Sequence, residues 1–342
     1  MPSTPEAVAE SWPRTSAERD RFLLARRPQR PRHDPWLPGG FHVEAERTEK
    51  GALAAMATLF LTGRECPWRC AMCDLWQHST ETDTPAGAIP RQIELALEAI
   101  VRTGTLPTRI KLYNAGSFFD PRAVPRGDYD GVAARLDSFD HVVVESHPAL
   151  VGEQVDRLLG ALARQRAASS PEVRLEVAMG LETAHPQALA RLHKRMSLEQ
   201  FEKAALALRR RGVALRVFLL VPPPFVPAAE EGPWLRRSID FAFACGASVV
   251  SLVPTRTGNG TLEALSCQGL FRVPRLGDLE HALRAALPEA RGRVFADLWD
   301  LEHFSDCARC LPARREQLQR MNLEQAAHPG AECGACGYGS AT

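Results

Sequence analysis

A chain of 342 residues can build one barrel-sized α/β domain with an appendage, or two ordinary domains. Its content of 45% hydrophobic and 24% charged residues is that of an ordinary globular protein, and no apolar run approaches the roughly 18 residues of a helical span, so no membrane role is expected. A formal net charge of +1 excludes a strong overall field for nucleic acid and leaves only local basic patches to provide one.

In chain order, Met1 to Glu10 lacks a basic segment followed by an apolar one, which argues against a secretory leader and makes the cytoplasm the expected compartment. Residues 1–50 are rich in Pro, Arg, Glu and Ser and read as an extension wrapping the main domain, with Trp36 to Gly40 as an anchor. Arg26, Arg27, Arg30 and Arg32 cluster within it. Residues 57–62 form an apolar strand that ends at Gly63 and runs into Cys66-Pro-Trp-Arg-Cys70-Ala-Met-Cys73. This C-x3-C-x2-C spacing lets one short loop place three thiolates on a four-iron cluster and leave one iron without a protein ligand. Zinc normally takes four protein ligands, or three and a water with His or carboxylate among them, so three close cysteines fit iron–sulfur better, although His78 lies nearby.

A helix follows, with Ile89, Ile93, Leu97 and Ile100 on one face and Gly104 as its stop. Strands are then expected at residues 109–114, 141–145, 173–179, 214–221 and 247–253, the fifth of the six ending at Pro222 to Pro224. Between them, Ser197 and Gln200 form a capping box for a helix with Phe201, Ala204, Ala205 and Leu208 inward, and Arg209 to Arg211 close it as a surface cap or an RNA contact. Six strands alternating with helices imply parallel βα units, which a barrel and an open doubly wound sheet satisfy equally.

Polar residues at strand ends are the candidate site. Asn114, Gly116 and Ser117 follow the second strand, Glu145 ends the third, and Glu182 follows the fourth. A carboxylate directly after an apolar strand is costly without a partner, so each of these acids needs a ligand or a structural cation. His147, the basic run Arg191 to Arg195 and the Gly-rich turn Thr255 to Gly260 are read both ways, as ligand contacts and as ordinary structural turns.

All nine cysteines are informative, and their odd number and metal-like grouping argue for a reducing compartment rather than disulfides. Cys307-x2-Cys310 and Cys333-x2-Cys336, 22 residues apart, make a four-thiolate site for zinc or an auxiliary [4Fe-4S] cluster. Cys245 reads as a packed thiol in a helix, and Cys267 stands alone.

The cysteine octet resembles the signature of the radical S-adenosylmethionine (SAM) superfamily, in which the open iron chelates the amino and carboxylate groups of SAM. The family usually has an aromatic residue where this chain has Met72. The wider set, Asn114 to Pro121, Glu145-Ser-His-Pro148, Gly180-Leu-Glu-Thr183, Leu219 to Phe225 and Ser251-Leu-Val-Pro254, resembles the archaeosine-synthase radical subunit and its relatives of the elongator catalytic-subunit branch.

The resemblance implies an α/β fold, a partial (β/α)6 TIM-like barrel over residues 51–290, flanked by the extension at 1–50 and a Cys-rich metal-binding segment at 291–342. It implies SAM contacts from Asn114, Gly116, Ser117, Glu145, Glu182 and Arg195, and a [4Fe-4S] cluster on Cys66, Cys70 and Cys73. Reductive cleavage of SAM to a 5′-deoxyadenosyl radical, fed by a one-electron donor of flavodoxin or ferredoxin type, would then take hydrogen from substrate. A modified tRNA base is the expected substrate. A small metabolite or peptide is the alternative within the same chemistry, and a non-catalytic iron–sulfur or zinc scaffold or redox sensor is the alternative of another class.

Overall fold

Along Arg109-Ile-Lys-Leu-Tyr-Asn114 charged or polar residues alternate with apolar ones, and a strand sends alternate side chains to opposite faces. The computed structural model, which describes residues 12–165, 173–330 and 332–338, uses that alternation to build a curled sheet with a polar concave face and an apolar convex face. The first ten residues, considered above for a leader, lie outside the described residues.

Helix α1 (Ser16–Arg26) precedes β1 (Gly40–Arg47), which pairs antiparallel with β2 (Leu53–Leu61). The chain continues through α2 (Ala88–Arg102), β3 (Arg109–Asn114), α3 (Tyr129–Ala134), β4 (His141–Glu145), α4 (Glu153–Gln165) and β5 (Arg174–Glu182). Then come α5 (Pro186–Arg191), α6 (Leu198–Arg210), β6 (Ala214–Val221), α7 (Glu231–Ala244) and β7 (Val249–Pro254). Last are α8 (Thr261–Cys267), α9 (Leu276–Ala286), β8 (Arg293–Ala296) and α10 (Leu311–Glu324). The eight strands lie in sequence order, and β2 to β8 are all parallel. Such connections put helices outside the sheet and all strand C-termini at one end. The expected capping box is present, with Ser197 accepting from the Gln200 amide and the Gln200 side chain returning to Ser197 N.

Convex side chains such as Leu59, Ile110, Val144, Val177, Val217 and Leu252 are fully buried under the helices, and this layer is the main core. Each contributes about 1.5–3 kcal/mol of transfer free energy. The concave face holds a different set. Arg216 Nε donates to Glu176 Oε1 at 2.6 Å and its Nη2 donates to Glu46 Oε1 at 2.6 Å, while Lys111 Nζ reaches Glu46 Oε2 at 2.5 Å. His141 Nε2 stands 3.3 Å from Glu176 Oε2. Burial alone would raise the Glu46 carboxyl, but Arg216 and Lys111 more than offset it and hold it at about 2.

Two strands lie beyond the six expected. The inward side chains of β1 are Glu44 and Glu46, partners of Lys111 and Arg216, so this strand has no buried apolar stripe and sits inside what reads as an extension. At only four residues, β8 is too short to show a period. No helix among the described residues is long and apolar enough to cross a membrane.

Arg216→Ala removes the cation that two buried carboxylates share, leaving Glu46 with Lys111 and Glu176 with His141, so a loss of about 3–5 kcal/mol in urea unfolding is expected. A loss below 1 kcal/mol would show that the cation does not hold the concave face. Because the Glu46 pKa is depressed on folding, its contribution is full above the unfolded value near 4.5 and is lost as pH falls toward about 2. Unfolding free energy measured at successive pH values should therefore fall through that window.

Candidate active site at the barrel mouth

The cysteine octet follows β2 at the end of the barrel where all seven parallel strands finish. Neighbouring elements hold this loop on every side. Asn259 Nδ2 donates to Ala71 O at 2.9 Å and Cys73 O at 3.3 Å, while its Oδ1 caps the Thr261 and Leu262 amides of α8 at 2.9 Å each. Ala71 N donates to Leu192 O at 2.9 Å. Trp68 stacks on His147, with 3.8 Å between ring centroids and 8° between planes.

The N-terminal segment adds Arg27 and Arg30, both paired with Glu65 and both over the Trp76 ring. These two arginines therefore brace the loop. Around it Trp12, Phe22, Leu23, Ala71, Leu192, Phe225 and Leu262 form a second apolar core, separate from the one behind the sheet. A Cβ on Gly260, whose φ is +78°, would lie 1.9 Å from Arg26 O, so the end of α1 is seated directly on the turn that carries Asn259.

Cys66, Cys70 and Cys73 are free thiols, each pushed up to about 12, chiefly by burial and further by a neighbouring thiol of the three. Their donor set fits a [4Fe-4S] cluster with one open iron. Among the described residues they do not draw together as a single-ion site, and neither does His78.

Behind the thiols lies a buried ion pair, Lys194 Nζ to Glu182 Oε1 at 2.7 Å. Burial works against the Lys194 charge, yet Glu182, Cys70 and Cys66 together keep it protonated well above the ordinary range. The pair needs Gly180, because a Cβ there would meet Glu182 Oε1 at 2.1 Å and Lys194 Nζ at 2.7 Å. Glu182, His193 and Arg195 all have left-handed backbones, with φ of +68°, +58° and +54°, which strand-end residues other than glycine adopt at a cost.

These turns divide the basic run. Arg191 covers the Phe225 ring, His193 and Arg195 both bond to Asp20 of α1, and Lys194 lies nearest the charge of the thiols, with Arg195 acting more weakly on Cys70. The structure thus sends Arg195 toward the N-terminal helix, while Lys194 takes the inward place.

Of the other strand-end candidates, Asn114 is buried and neither polar atom of its side chain has a partner. An amide in that position is costly unless a ligand completes it. Gly116 allows the backbone after β3 to approach the cysteine loop, since a Cβ would lie 2.9 Å from Arg64 O. Ser117 is occupied internally, bonded to Ser146 Oγ at 3.1 Å and accepting from His147 N at 3.2 Å. Glu145 is pushed up to about 8 by burial, against a backbone hydrogen bond from Asn114.

His147 accepts from Ala149 N through Nδ1, which leaves Nε2 protonated to donate to Lys194 O at 3.1 Å. Burial and then Lys194 push its pKa down to about 3, so it is a neutral clamp. Its contacts are with the loop and the backbone. Lys194, Asn259 and the Trp68–His147 stack are the site residues that sequence reasoning did not single out for these roles. The Asn in the Gly-rich turn and the Trp within the octet were the available signals.

The C-terminal cysteines gather as expected: the sulfurs of Cys307, Cys310, Cys333 and Cys336 all lie within 4.8 Å of one another. Four thiols leave no open position, so zinc or an auxiliary cluster can be held there and substrate cannot bind the metal.

No protein-family model matches the chain. It is similar to archaeosine synthase subunit beta of Methanosarcina acetivorans, 25% identical over 245 residues, which cover 69% of this chain and 68% of that one. An uncharacterized protein of Methanocaldococcus jannaschii is 24% identical over 225 residues, 63% of this chain and 59% of that one, so the chain spans less than two thirds of that relative. Among solved structures, archaeal Elp3 of Methanocaldococcus infernus has the same fold, with a TM-score of 0.50 at 14% identity over 68% of this chain and 59% of that one. With the cysteine octet at the mouth of this barrel, the chain is similar in sequence to archaeosine synthase subunit beta and has the fold of Elp3, in keeping with the resemblance of its octet to the radical SAM signature.

Proposed function

We propose that this protein is a radical SAM enzyme acting on a base in tRNA. The observation that carries the reading is the meeting, at the strand C-termini, of three loop thiols with the Lys194–Glu182 pair and the unpartnered Asn114 amide. When bound, a [4Fe-4S] cluster and SAM supply one-electron cleavage to methionine and a 5′-deoxyadenosyl radical, which takes a hydrogen atom from substrate.

The chain's own groups then have separable tasks. Cys66, Cys70 and Cys73 hold the cluster as thiolates, and Lys194 offsets part of their charge. Lys194 also offers an ammonium to the SAM carboxylate, and Glu182 keeps it in place. Asn114 gives SAM one donor and one acceptor, while Glu145 serves as the acceptor for an ammonium or a ribose hydroxyl. The second apolar core excludes water around the loop.

A base in tRNA is favoured over a small metabolite by the similarity to archaeosine synthase subunit beta. An electron donor of flavodoxin or ferredoxin type completes the reaction.

Anaerobic reconstitution with iron, sulfide, SAM and dithionite is expected to yield 5′-deoxyadenosine, and Cys70→Ala to yield none. Equal product from Cys70→Ala would remove the enzyme reading. Lys194→Met should weaken SAM binding about tenfold or more while the loop still takes up iron. Unchanged SAM affinity would remove Lys194 from the site.

Binding of bulk tRNA should weaken steeply between about 50 and 200 mM salt, as phosphate contacts release counterions. Undetectable or salt-insensitive binding, with 5′-deoxyadenosine still formed, would point to the metabolite or peptide alternative.

A further inference from the structure

We infer that Cys307, Cys310, Cys333 and Cys336 bind one tetrahedral zinc-type ion, and that this ion bolts α10 across the open seam of the barrel. The first half rests on sulfur spacing. Cys310 and Cys336 sulfurs are 3.8 Å apart, and all four lie within 4.8 Å of one another. A metal–sulfur bond of about 2.3 Å in a tetrahedron separates its thiolates by about 3.8 Å. A four-iron cluster carries an iron at each of four corners and spreads its thiolates well beyond that.

Charge fits as well. Four thiolates on a divalent ion leave two negative charges, and Arg314, whose amide donates to Cys310 O at 3.0 Å, brings its positive charge near them from one turn further along α10. Glu280 of α9 holds Arg314 through two bonds of 2.8 and 3.1 Å, and Tyr338 covers Arg314 at 3.8 Å from its ring while bonding to Glu280. Cys310 stands at the N-cap of α10, where the helix dipole favours negative charge.

The second half rests on what the other end of α10 does. The sheet does not close, so the outer edge of β8 presents unpaired amides and carbonyls. Two side-chain amides satisfy them in place of a strand. Gln325 accepts from Val294 N at 2.8 Å and donates to Val294 O at 2.9 Å. Asn322 accepts from Ala296 N and donates to Ala296 O, both at 2.8 Å.

Across the gap, Arg47 of β1 donates to Leu323 O of α10 at 3.2 Å, and Arg293 of β8 donates to Arg47 O at 2.8 Å. One helix therefore spans the seam. Its N-terminus is pinned by the four cysteines, two of which come from the chain beyond the helix. Removing the ion frees that end and loosens the caps on β8.

The inference is independent of the reaction. Full-length Cys66→Ala/Cys70→Ala/Cys73→Ala protein, which lacks the loop site, should be isolated with about one zinc and no iron per chain, and cobalt substitution should give a tetrahedral thiolate spectrum. About four irons with an iron–sulfur spectrum, or no metal, would overturn the single-ion assignment.

For the bolt, hydrogen exchange at Val294 and Ala296 should speed up about tenfold or more when a chelator strips the ion from this protein, with exchange in β3 and β4 unchanged. Asn322→Ala/Gln325→Ala should produce the same local increase with the zinc retained. Unchanged exchange in both cases would overturn the seam role.

Discussion

The charge network on the concave face holds this fold in its curled form. Arg216 of β6 bonds to Glu176 on the next strand and to Glu46 on β1, at the far edge of the same sheet. No backbone ladder joins β1 to β8, so these side chains and the helix across the seam do the work of the missing strand pairing. Four charged groups buried together stabilise only when every one is paired. That requirement ties β1, β3, β5 and β6 into one arrangement and so sets where their C-terminal ends converge.

At that convergence the chain builds a second packed centre, around a loop rather than behind a sheet. The loop's conformation is over-determined from four directions: α1 with Arg27 and Arg30, the Asn259 turn, the Leu192 carbonyl and the Trp68–His147 stack. A metal-binding loop must present its thiolates with little reorganisation, and holding it by backbone hydrogen bonds from neighbouring elements achieves this. The left-handed residues Glu182, His193 and Arg195 are the strain that accompanies it. They let three consecutive basic residues leave the backbone in different directions, so His193 and Arg195 fasten α1 through Asp20 while Lys194 turns inward.

The two cysteine sites differ in kind for geometric reasons. Three half-buried thiols on one loop suit a cluster with one corner open to a ligand. Four thiols drawn within 4.8 Å of one another leave no position for a further ligand on an ion they hold. The first lies where the strands end, the second at the start of the helix that spans the seam.

Sequence alone was sufficient for the features carried by local spacing. The C-x3-C-x2-C loop, the paired C-x2-C motifs, the alternation of strands with helices and the Ser197 capping box depend on neighbours a few residues apart, and a short stretch of chain determines them. Asn114, Gly116, Glu145 and Glu182 could be named as strand-end residues because periodicity located the strand ends. What the tertiary structure decided was every feature whose partner is remote in sequence. Whether Lys194 or Arg195 faces the thiols follows from φ signs at 193 and 195, which no pattern of charges encodes. That β1 is a strand depends on Arg216, 170 residues away from Glu46, since its inward carboxylates give no apolar period to read. Local chemistry is written in adjacent residues, whereas a buried charge takes its meaning from the partner that folding brings to it.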